Sequence, residues 1–307
     1  MEFLRILEGL RTPMGDAFFS LITHLGEETL FIVIALAVYW CVSKRQGIYL
    51  ICVGFLGTAV NQFLKLLFRV PRPWVLDENF SIVESARAEA TGYSFPSGHT
   101  QSSVGVFGCL AYTAKRRWWR LLCIALCVLV PFSRMYLGVH TPKDVLVSVV
   151  LALAMVFALP PILDRLLAKK HGMHILFGAL TGLTGLILLF MLTYHYPTDM
   201  DAELYANGLN GAAKILGCFV GVWLGWAMEN KYVGFDPAAP LLVQGLKLGG
   251  GFAVVLGIKI LAKAPLLALF GAAPPASAVR YFLIAFFAAG VWPMGFARLG
   301  RLGKNKE

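Results

Sequence analysis

Charged residues are scarce in this sequence. Only 14% of the 307 residues are Asp, Glu, Lys or Arg, and 58% are hydrophobic. A typical soluble domain has about 25% charged residues. Apolar runs close to the ~20 residues that cross a bilayer recur from one end of the chain to the other. The composition therefore excludes an ordinary soluble domain and predicts an all-α, polytopic transmembrane helical bundle with the lipid bilayer as its partner.

Paired cysteines are also missing. The sequence has six cysteines, and all of them lie inside apolar segments rather than at paired spacings in a loop. Such cysteines are typical of small buried hydrophobic residues, and they indicate neither disulfides nor a zinc site. The net charge of +10 could suggest nucleic acid. However, the basic residues cluster in short loops between apolar runs, as membrane topology requires, so we predict no nucleic-acid partner.

About nine apolar segments are candidate spans. They lie at residues 17–41, 47–68, 98–114, 118–138, 143–164, 173–195, 209–228, 242–271 and 278–297. Basic loops alternate with acidic ones, and the positive-inside rule then places the N-terminus outside and the C-terminus in the cytoplasm. The basic positions used are Lys44, Arg45, Lys115, Arg116, Arg117, Arg120, Arg165, Lys169, Lys170, Arg298, Arg301, Lys304 and Lys306, and the acidic ones are Asp77, Glu78, Glu84, Glu89, Asp199, Asp201 and Glu203.

The chain divides into three predicted parts. Apolar side chains recur at helical spacing in residues 1–16, and this pattern predicts an interfacial helix. Residues 17–165 contain the polar motifs described next, and residues 166–307 are a C-terminal transmembrane extension. The eighth segment, 242–271, is overlong and contains three lysines and a proline, so we expect it to be broken, re-entrant or strongly tilted.

Three ionisable residues lie between the fourth and fifth spans, where no long loop carries them away from the membrane. Arg134, His140 and Asp144 are costly at the edge of apolar spans unless they are paired or used, so they are functional candidates. Thr141-Pro142 predicts a helix start, whose partial positive charge favours an anion beside His140. The alternative is that Asp144 only completes a capping box.

Cations gather at the outer end of the second span. Lys65, Arg69 and Arg72 lie within about two turns, and Pro71 and Pro73 end the helix. The alternative for any one of them is snorkelling towards lipid headgroups. Three cations together, fixed by two prolines, favour an anion site.

The third span opens with Ser97-Gly98-His99. A helix start exposes backbone N–H groups without partners, and glycine allows a ligand to approach the backbone closely. This pattern predicts a phosphate cradle beside His99. A single histidine here would be typical of an interfacial residue, but His140 at the facing end of the fifth span favours a site.

The three clusters together predict phosphoryl transfer without a metal. Lys65, Arg72 and Arg134 supply cations, the amide cradle spreads charge from the phosphoryl oxygens, and the two histidines supply a nucleophile and an acid. A bound metal is the rival for any His/Asp cluster. Here the cations would repel a divalent ion and the ligands are too few, so we predict no metal and no cofactor.

These residues resemble a known family. Lys65-x6-Arg72-Pro73, Pro96-Ser97-Gly98-His99 and Ser133-Arg134-x5-His140-x3-Asp144 are similar to the three-part signature of the type 2 phosphatidic acid phosphatase superfamily. That superfamily includes lipid phosphate phosphatases, polyprenyl diphosphate phosphatases, glucose-6-phosphatases and, more distantly, vanadium haloperoxidases. Every signature position is filled in order, over the second to fifth spans.

The resemblance implies a role for each matched position. His140 is the expected nucleophile that forms a phosphohistidine, Asp144 orients it, and His99 protonates the leaving oxygen and then activates water. The expected phosphate-binding residues are Lys65, Arg72, Ser97, Gly98 and Arg134, while Ser133 is assigned only weakly because it could serve helix packing. The resemblance assigns nothing to Tyr136 or Lys143.

The expected function is hydrolysis of a phosphate monoester or diphosphate at the outer membrane face. We favour a phosphorylated lipid, because its headgroup lies at the depth of the site and the loop 74–95 is rich in aromatic residues. A soluble ester such as a sugar phosphate is one alternative. A lipid-binding or transport protein without catalysis is another, although binding alone needs neither two histidines nor a paired acid. The sequence does not fix the substrate or the oligomeric state.

Overall fold

The computed structural model describes residues 1–194, 201–296 and 298–299. Within these ranges the chain forms helices and no strand, which confirms the all-α prediction. The first helices in chain order are α1 (Glu2–Gly9), α2 (Pro13–Thr23), α3 (Glu28–Cys41), α4 (Lys44–Phe68), α5 (Pro73–Leu76), α6 (Gly98–Thr113), α7 (Arg117–Tyr136) and α8 (Pro142–Leu167). They are followed by α9 (Gly172–Thr193), α10 (Ala202–Met228), α11 (Leu241–Leu261), α12 (Lys263–Phe270) and α13 (Ala273–Phe286).

Fewer helical segments than the nine expected are long and apolar enough to cross a membrane. Among the described residues there are 7, or 8 if α2 and α3, which meet at a bend of 50°, count as one span. The difference lies in α6, which has only 16 residues, about 24 Å at 1.5 Å per residue. The number of spans and their orientation therefore stay predictions. Asp199, Arg301, Lys304 and Lys306, which contribute to the predicted orientation, lie outside the described residues.

The overlong eighth segment is divided into α11 and α12 at Ala262, although its 30 residues count as one candidate span. One of its lysines, Lys247, is buried in α11. Its ammonium group donates to the backbone carbonyls of Asp236 (3.2 Å) and Pro237 (2.9 Å). These hydrogen bonds explain how a cation is tolerated there, since a buried charge is costly unless it is satisfied.

The chain forms two compact units. The first consists mainly of Met1–Ile32 and Leu50–Pro161, and it holds every candidate site residue named above. The second contains Val33–Tyr49 and most of the described residues after Pro161. In the second unit the Trp40 indole donates to the Ala288 carbonyl at 2.8 Å, and both groups are buried. The predicted division by function at residues 16 and 165 stays a prediction.

The N-terminal helix α1 packs on the loop that follows α5. Leu4 is buried with Phe80 and Ile82, and Arg5 reaches across to the carboxylate of Asp77. The opposite face of α1 remains apolar and exposed, at Phe3, Ile6 and Leu10. The sequence predicts that exposed face as an interfacial surface, but it does not indicate that the other face holds this loop.

Candidate active site

His140 lies in the short connection between α7 and α8. Helix α7 ends at Tyr136, and Gly138 then takes φ = +83°, a left-handed conformation that glycine adopts without a side-chain clash. The chain turns back, so that the amides of Val139 (3.1 Å) and His140 (3.3 Å) donate to the carbonyl of Arg134. This turn fixes His140 beside the end of α7, and its side chain is buried.

The two ring nitrogens of His140 face opposite charges. Nε2 lies 3.0 Å from Nη1 of Arg72, and Nδ1 lies 3.6 Å from a carboxylate oxygen of Asp144. Because a guanidinium can only donate, Nε2 accepts and the proton of the neutral ring is on Nδ1. The lone pair of Nε2 therefore points towards the cations, where a phosphoryl group would be held.

Asp144 lies at the first turn of α8 and holds that turn together. Its Oδ2 accepts from the amide of Thr141 at 2.8 Å, and the Thr141 hydroxyl accepts from the amide of Asp144 at 3.3 Å. This is the reciprocal capping box that was the alternative to a functional role. The same oxygen also faces His140, so the capping contact and the histidine contact occur together.

The hydroxyl of Ser94 contacts both Asp144 and His140. No sequence motif indicates this residue. Its hydroxyl is buried and donates to Oδ2 of Asp144 at 2.6 Å, while it lies 3.5 Å from Nδ1 of His140. Its amide donates to the carbonyl of Val70 at 2.8 Å, which fixes the loop before α6 to the chain after α4. A single serine in an irregular loop carries no periodic signal, so only the structure reveals it.

Arg72 fastens the loop over the site to the turn that carries His140. Its guanidinium donates to the backbone carbonyls of Thr91 (2.8 Å), Gly92 (2.9 Å) and Val139 (2.9 Å). The side chain is almost completely buried. Its N–H groups thus bind the protein backbone and also face Nε2 of His140.

Arg134 carries unused hydrogen-bonding capacity. Its side chain is fully buried, and Nη1 donates to the hydroxyl of Thr23 at 2.7 Å. Nε and Nη2 are also buried and have no hydrogen-bond partner among the described residues. Leaving buried donors unpaired costs about 1–3 kcal/mol each, and more when the group is charged. An oxyanion would satisfy both nitrogens at once.

The predicted phosphate cradle lies at the start of α6. Ser97 is the N-cap residue, and its hydroxyl accepts from the amide of Thr100 at 3.4 Å. The first amides of a helix have no partner within the helix. At Gly98 the nearest atom to an added side-chain carbon would be Oδ1 of Asn61, at 3.9 Å. The space above the cradle is therefore open, as a bound anion requires.

The two remaining predicted residues lie at the edge of the same site. Nζ of Lys65 donates to the carbonyl of Tyr93 at 2.5 Å, and thus ties α4 to the loop before α6. His99 is 16% exposed, and its Nε2 lies 3.2 Å from a carboxylate oxygen of Glu89. In the sequence Glu89 indicates only the predicted orientation, as one of the outer acidic residues. The structure adds its contact with His99.

Positive charges surround the ring of His140. Burial lowers the pKa of His140 well below its ordinary value of 6.5, and the positive charges of Arg72, Arg134 and Lys65 lower it further. Both causes disfavour the protonated ring. His140 is thus held neutral, the form in which an imidazole can attack an electrophile.

The structure brings together all eight predicted site residues within the first unit. The three sequence clusters thus lie in the same unit and share contacts such as that between Arg72 and His140, while the site and the roles of its residues stay predictions. Ser94, Glu89 and Thr23 are additional members that contact Asp144, His99 and Arg134. The described residues around His140 contribute cations and hydrogen-bond donors, which suit an anion.

Comparison with protein families gives two matches. Residues 46–168 match the PAP2 superfamily, and residues 213–305 match the transmembrane extension of PAP2 superfamily phosphatases. The first match covers all eight predicted site residues, and the second covers much of the C-terminal part. No solved structure gives a significant match.

Several curated proteins are similar over part of the chain. A probable sphingosine-1-phosphate phosphatase of Dictyostelium discoideum is 32% identical over 50% of this chain and 39% of its own length. An undecaprenyl-diphosphatase of Bacillus subtilis is 31% identical over 38% of this chain and 56% of its own length. The chain thus spans only part of these two relatives.

An undecaprenyl-diphosphatase of Sulfolobus acidocaldarius is matched more completely. It is 30% identical, over 48% of this chain and 69% of its own length. The similarity includes the region in which the three clusters converge, and the long apolar helices agree with an integral membrane protein. The chain belongs to the PAP2 superfamily.

Proposed function

We propose that the protein is a metal-independent membrane phosphatase that hydrolyses a phosphate monoester or diphosphate of a lipid through a phosphohistidine. The observation that carries this proposal is the environment of His140. Its ring is neutral, its Nε2 lone pair faces Arg72, and Arg134 nearby has two buried nitrogens that need an anion. A phosphoryl group held there meets the nucleophile directly.

The first half of the reaction forms a bond between Nε2 of His140 and phosphorus, as the bond from phosphorus to the leaving oxygen breaks. Arg72, Arg134 and Lys65 stabilise the negative charge on the other phosphoryl oxygens, together with the first amides of α6. Asp144 stabilises the positive charge that develops on the ring. His99 gives a proton to the leaving oxygen, which departs as an alcohol or a phosphate.

In the second half a water molecule attacks the phosphohistidine. His99, now neutral, takes a proton from this water, and the bond between phosphorus and Nε2 breaks. Inorganic phosphate leaves, and His140 returns to its neutral form. The same two histidines thus serve both steps, and the proton that His99 gives up in the first step is replaced from water in the second.

A lipid substrate is supported by the membrane character of the chain and by the names of two relatives, a probable sphingosine-1-phosphate phosphatase and an undecaprenyl-diphosphatase. We also propose that residues 17–165 form the catalytic core and that the site faces the outside of the cell membrane. The outward orientation rests on the distribution of basic loops.

The substrate class is tested with the purified protein in detergent micelles. We expect phosphate release from a sphingoid phosphate or a polyprenyl diphosphate, and much slower release from a hexose phosphate. Faster turnover of the hexose phosphate than of every lipid would contradict the lipid proposal. The absence of hydrolysis with all three would contradict the enzymatic proposal itself.

An aryl phosphate distinguishes the roles of the two histidines, because its acidic phenol needs little protonation to leave. His99→Ala should release a burst of phenol and accumulate phosphoenzyme, because water activation is still lost. His140→Ala should do neither, since no phosphohistidine can form. A burst from His140→Ala and none from His99→Ala would reverse the assignment.

A further inference from the structure

A second cluster of ionisable side chains lies beside His99. His24 belongs to the short turn His24–Gly26 between α2 and α3, Glu27 follows that turn, and Glu89 lies in the loop before α6. Nδ1 of His24 is 2.5 Å from Glu27 and 3.1 Å from Glu89. One nitrogen and two carboxylate oxygens thus meet within 4.8 Å of one another.

This cluster differs from the phosphate site in charge. Its members are one imidazole and two carboxylates, whereas the phosphate site is lined by Lys65, Arg72 and Arg134. The side chains are 53%, 37% and 28% exposed in the order His24, Glu27 and Glu89, so an ion can reach them from water. Anionic oxygens and an accessible imidazole suit a cation, which the phosphate site would repel.

The ligand types select the kind of cation. One imidazole nitrogen with two carboxylate oxygens is a three-ligand set, and Zn²⁺ binds such ligands at about 2.0–2.2 Å and completes its coordination with water. Imidazole favours zinc and other transition metals, while Mg²⁺ and Ca²⁺ favour oxygen ligands alone.

Glu89 connects this cluster with catalysis. One of its oxygens faces His24 at 3.1 Å, and the other lies 3.2 Å from Nε2 of His99. An ion bound through Oε1 of Glu89 would withdraw negative charge from the carboxylate and weaken the contact of Oε2 with His99.

We propose that His24, Glu27 and Glu89 form a binding site for a transition-metal dication such as Zn²⁺, and that an ion in this site inhibits the enzyme by weakening the contact of Glu89 with His99. The inhibitory half of this proposal rests on the proposed function. The binding half does not, because it depends only on the side chains of the cluster.

Binding is measured on the full chain, purified without a polyhistidine tag and stripped with a chelator that is then removed. Zn²⁺ is titrated in competition with a fluorescent zinc indicator, with and without excess Mg²⁺. We expect one site that Mg²⁺ does not occupy. His24→Ala and Glu27→Gln should each weaken it by at least the ~10–100-fold that loss of an outer-shell partner costs a metal site.

His171→Ala is the matched control, since His171 is also an exposed histidine but lies in the second unit. It should leave zinc affinity unchanged. Equal zinc binding by the wild type, His24→Ala and Glu27→Gln would overturn the site. Displacement of zinc by Mg²⁺ would overturn its assignment to a transition metal. Glu27→Gln keeps the size of the side chain, so it tests the site even if His24→Ala does not fold.

Inhibition is measured as phosphate release during a zinc titration. Zinc should slow the wild type by about tenfold or more, up to the ~10²–10⁴-fold that a general acid–base residue contributes. His24→Ala and Glu27→Gln should keep their basal rate and resist zinc. Equal inhibition of these variants and the wild type would place the inhibitory ion elsewhere. A protein that binds zinc through His24 but hydrolyses nothing would contradict the proposed function alone.

Discussion

Removal of the Ser94 hydroxyl tests how Asp144 and His140 are held. In the structure Oδ2 of Asp144 accepts two hydrogen bonds, from Ser94 at 2.6 Å and from the amide of Thr141 at 2.8 Å. Ser94→Ala leaves only the second. A hydrogen bond to a charged group contributes about 1.5–3 kcal/mol, and tenfold in rate corresponds to about 1.4 kcal/mol. We therefore expect kcat to fall by roughly ten- to a hundredfold.

The matched control for Ser94→Ala is Ser103→Ala. Ser103 is equally buried, but its hydroxyl donates to the carbonyl of Thr100 within α6 and contacts neither His140 nor Asp144. Both variants are assayed for kcat, KM and thermal unfolding with the same lipid phosphate. Ser103→Ala should lower stability slightly and leave kcat unchanged. Equal loss of kcat in both variants, or no loss in Ser94→Ala, would refute the positioning role of Ser94.

Further predictions concern inhibitors, pH and orientation. Activity should persist in excess chelator and be blocked by vanadate, which mimics the trigonal phosphoryl centre; a loss restored by added divalent ion would contradict the site. Burial and nearby cations lower the pKa of His140 below 6.5, so its neutral form persists as the pH falls. The decrease of kcat/KM that comes from protonation of His140 should therefore lie below pH 6.5, after correction for the ionisation of the substrate. An acid limb above 6.5 would exclude this assignment. A cysteine at exposed Asn79 should be labelled by an impermeant reagent from outside, and one at exposed Arg117 only after the membrane is opened; the reverse pattern would place the site on the cytoplasmic side.

The sequence predicted the core of the site because its residues lie at the ends of helices. Polar side chains at a helix start or end stand out against apolar spans, as at Ser97 and His140. Prolines and glycines mark the same boundaries. For these residues the structure adds the distances, such as the 3.0 Å between Arg72 and His140.

The residues that were missed have no such signal. Ser94 and Glu89 lie in an irregular loop, and Thr23 is one threonine within α2. Their contacts join segments far apart in the chain, for example Thr23 with Arg134. Pairing of this kind depends on how helices pack, which hydrophobic periodicity does not determine.

The number of spans also stays a prediction. Helix α6 was expected to be an ordinary span, but its 16 residues are shorter than the other candidates. It begins with the phosphate cradle, so its start is fixed by Ser97 rather than by the membrane thickness. The predicted segment 98–114 and α6 agree to within one residue, so the difference is only whether so short a helix counts as a span.

The capping box at Thr141 has a consequence for how variants of Asp144 are interpreted. One carboxylate oxygen both closes the first turn of α8 and faces the histidine ring. Loss of a helix cap costs about 0.5–2 kcal/mol of folding stability. A change at this position therefore alters two properties at once, the stability of the first turn of α8 and the carboxylate that faces the His140 ring.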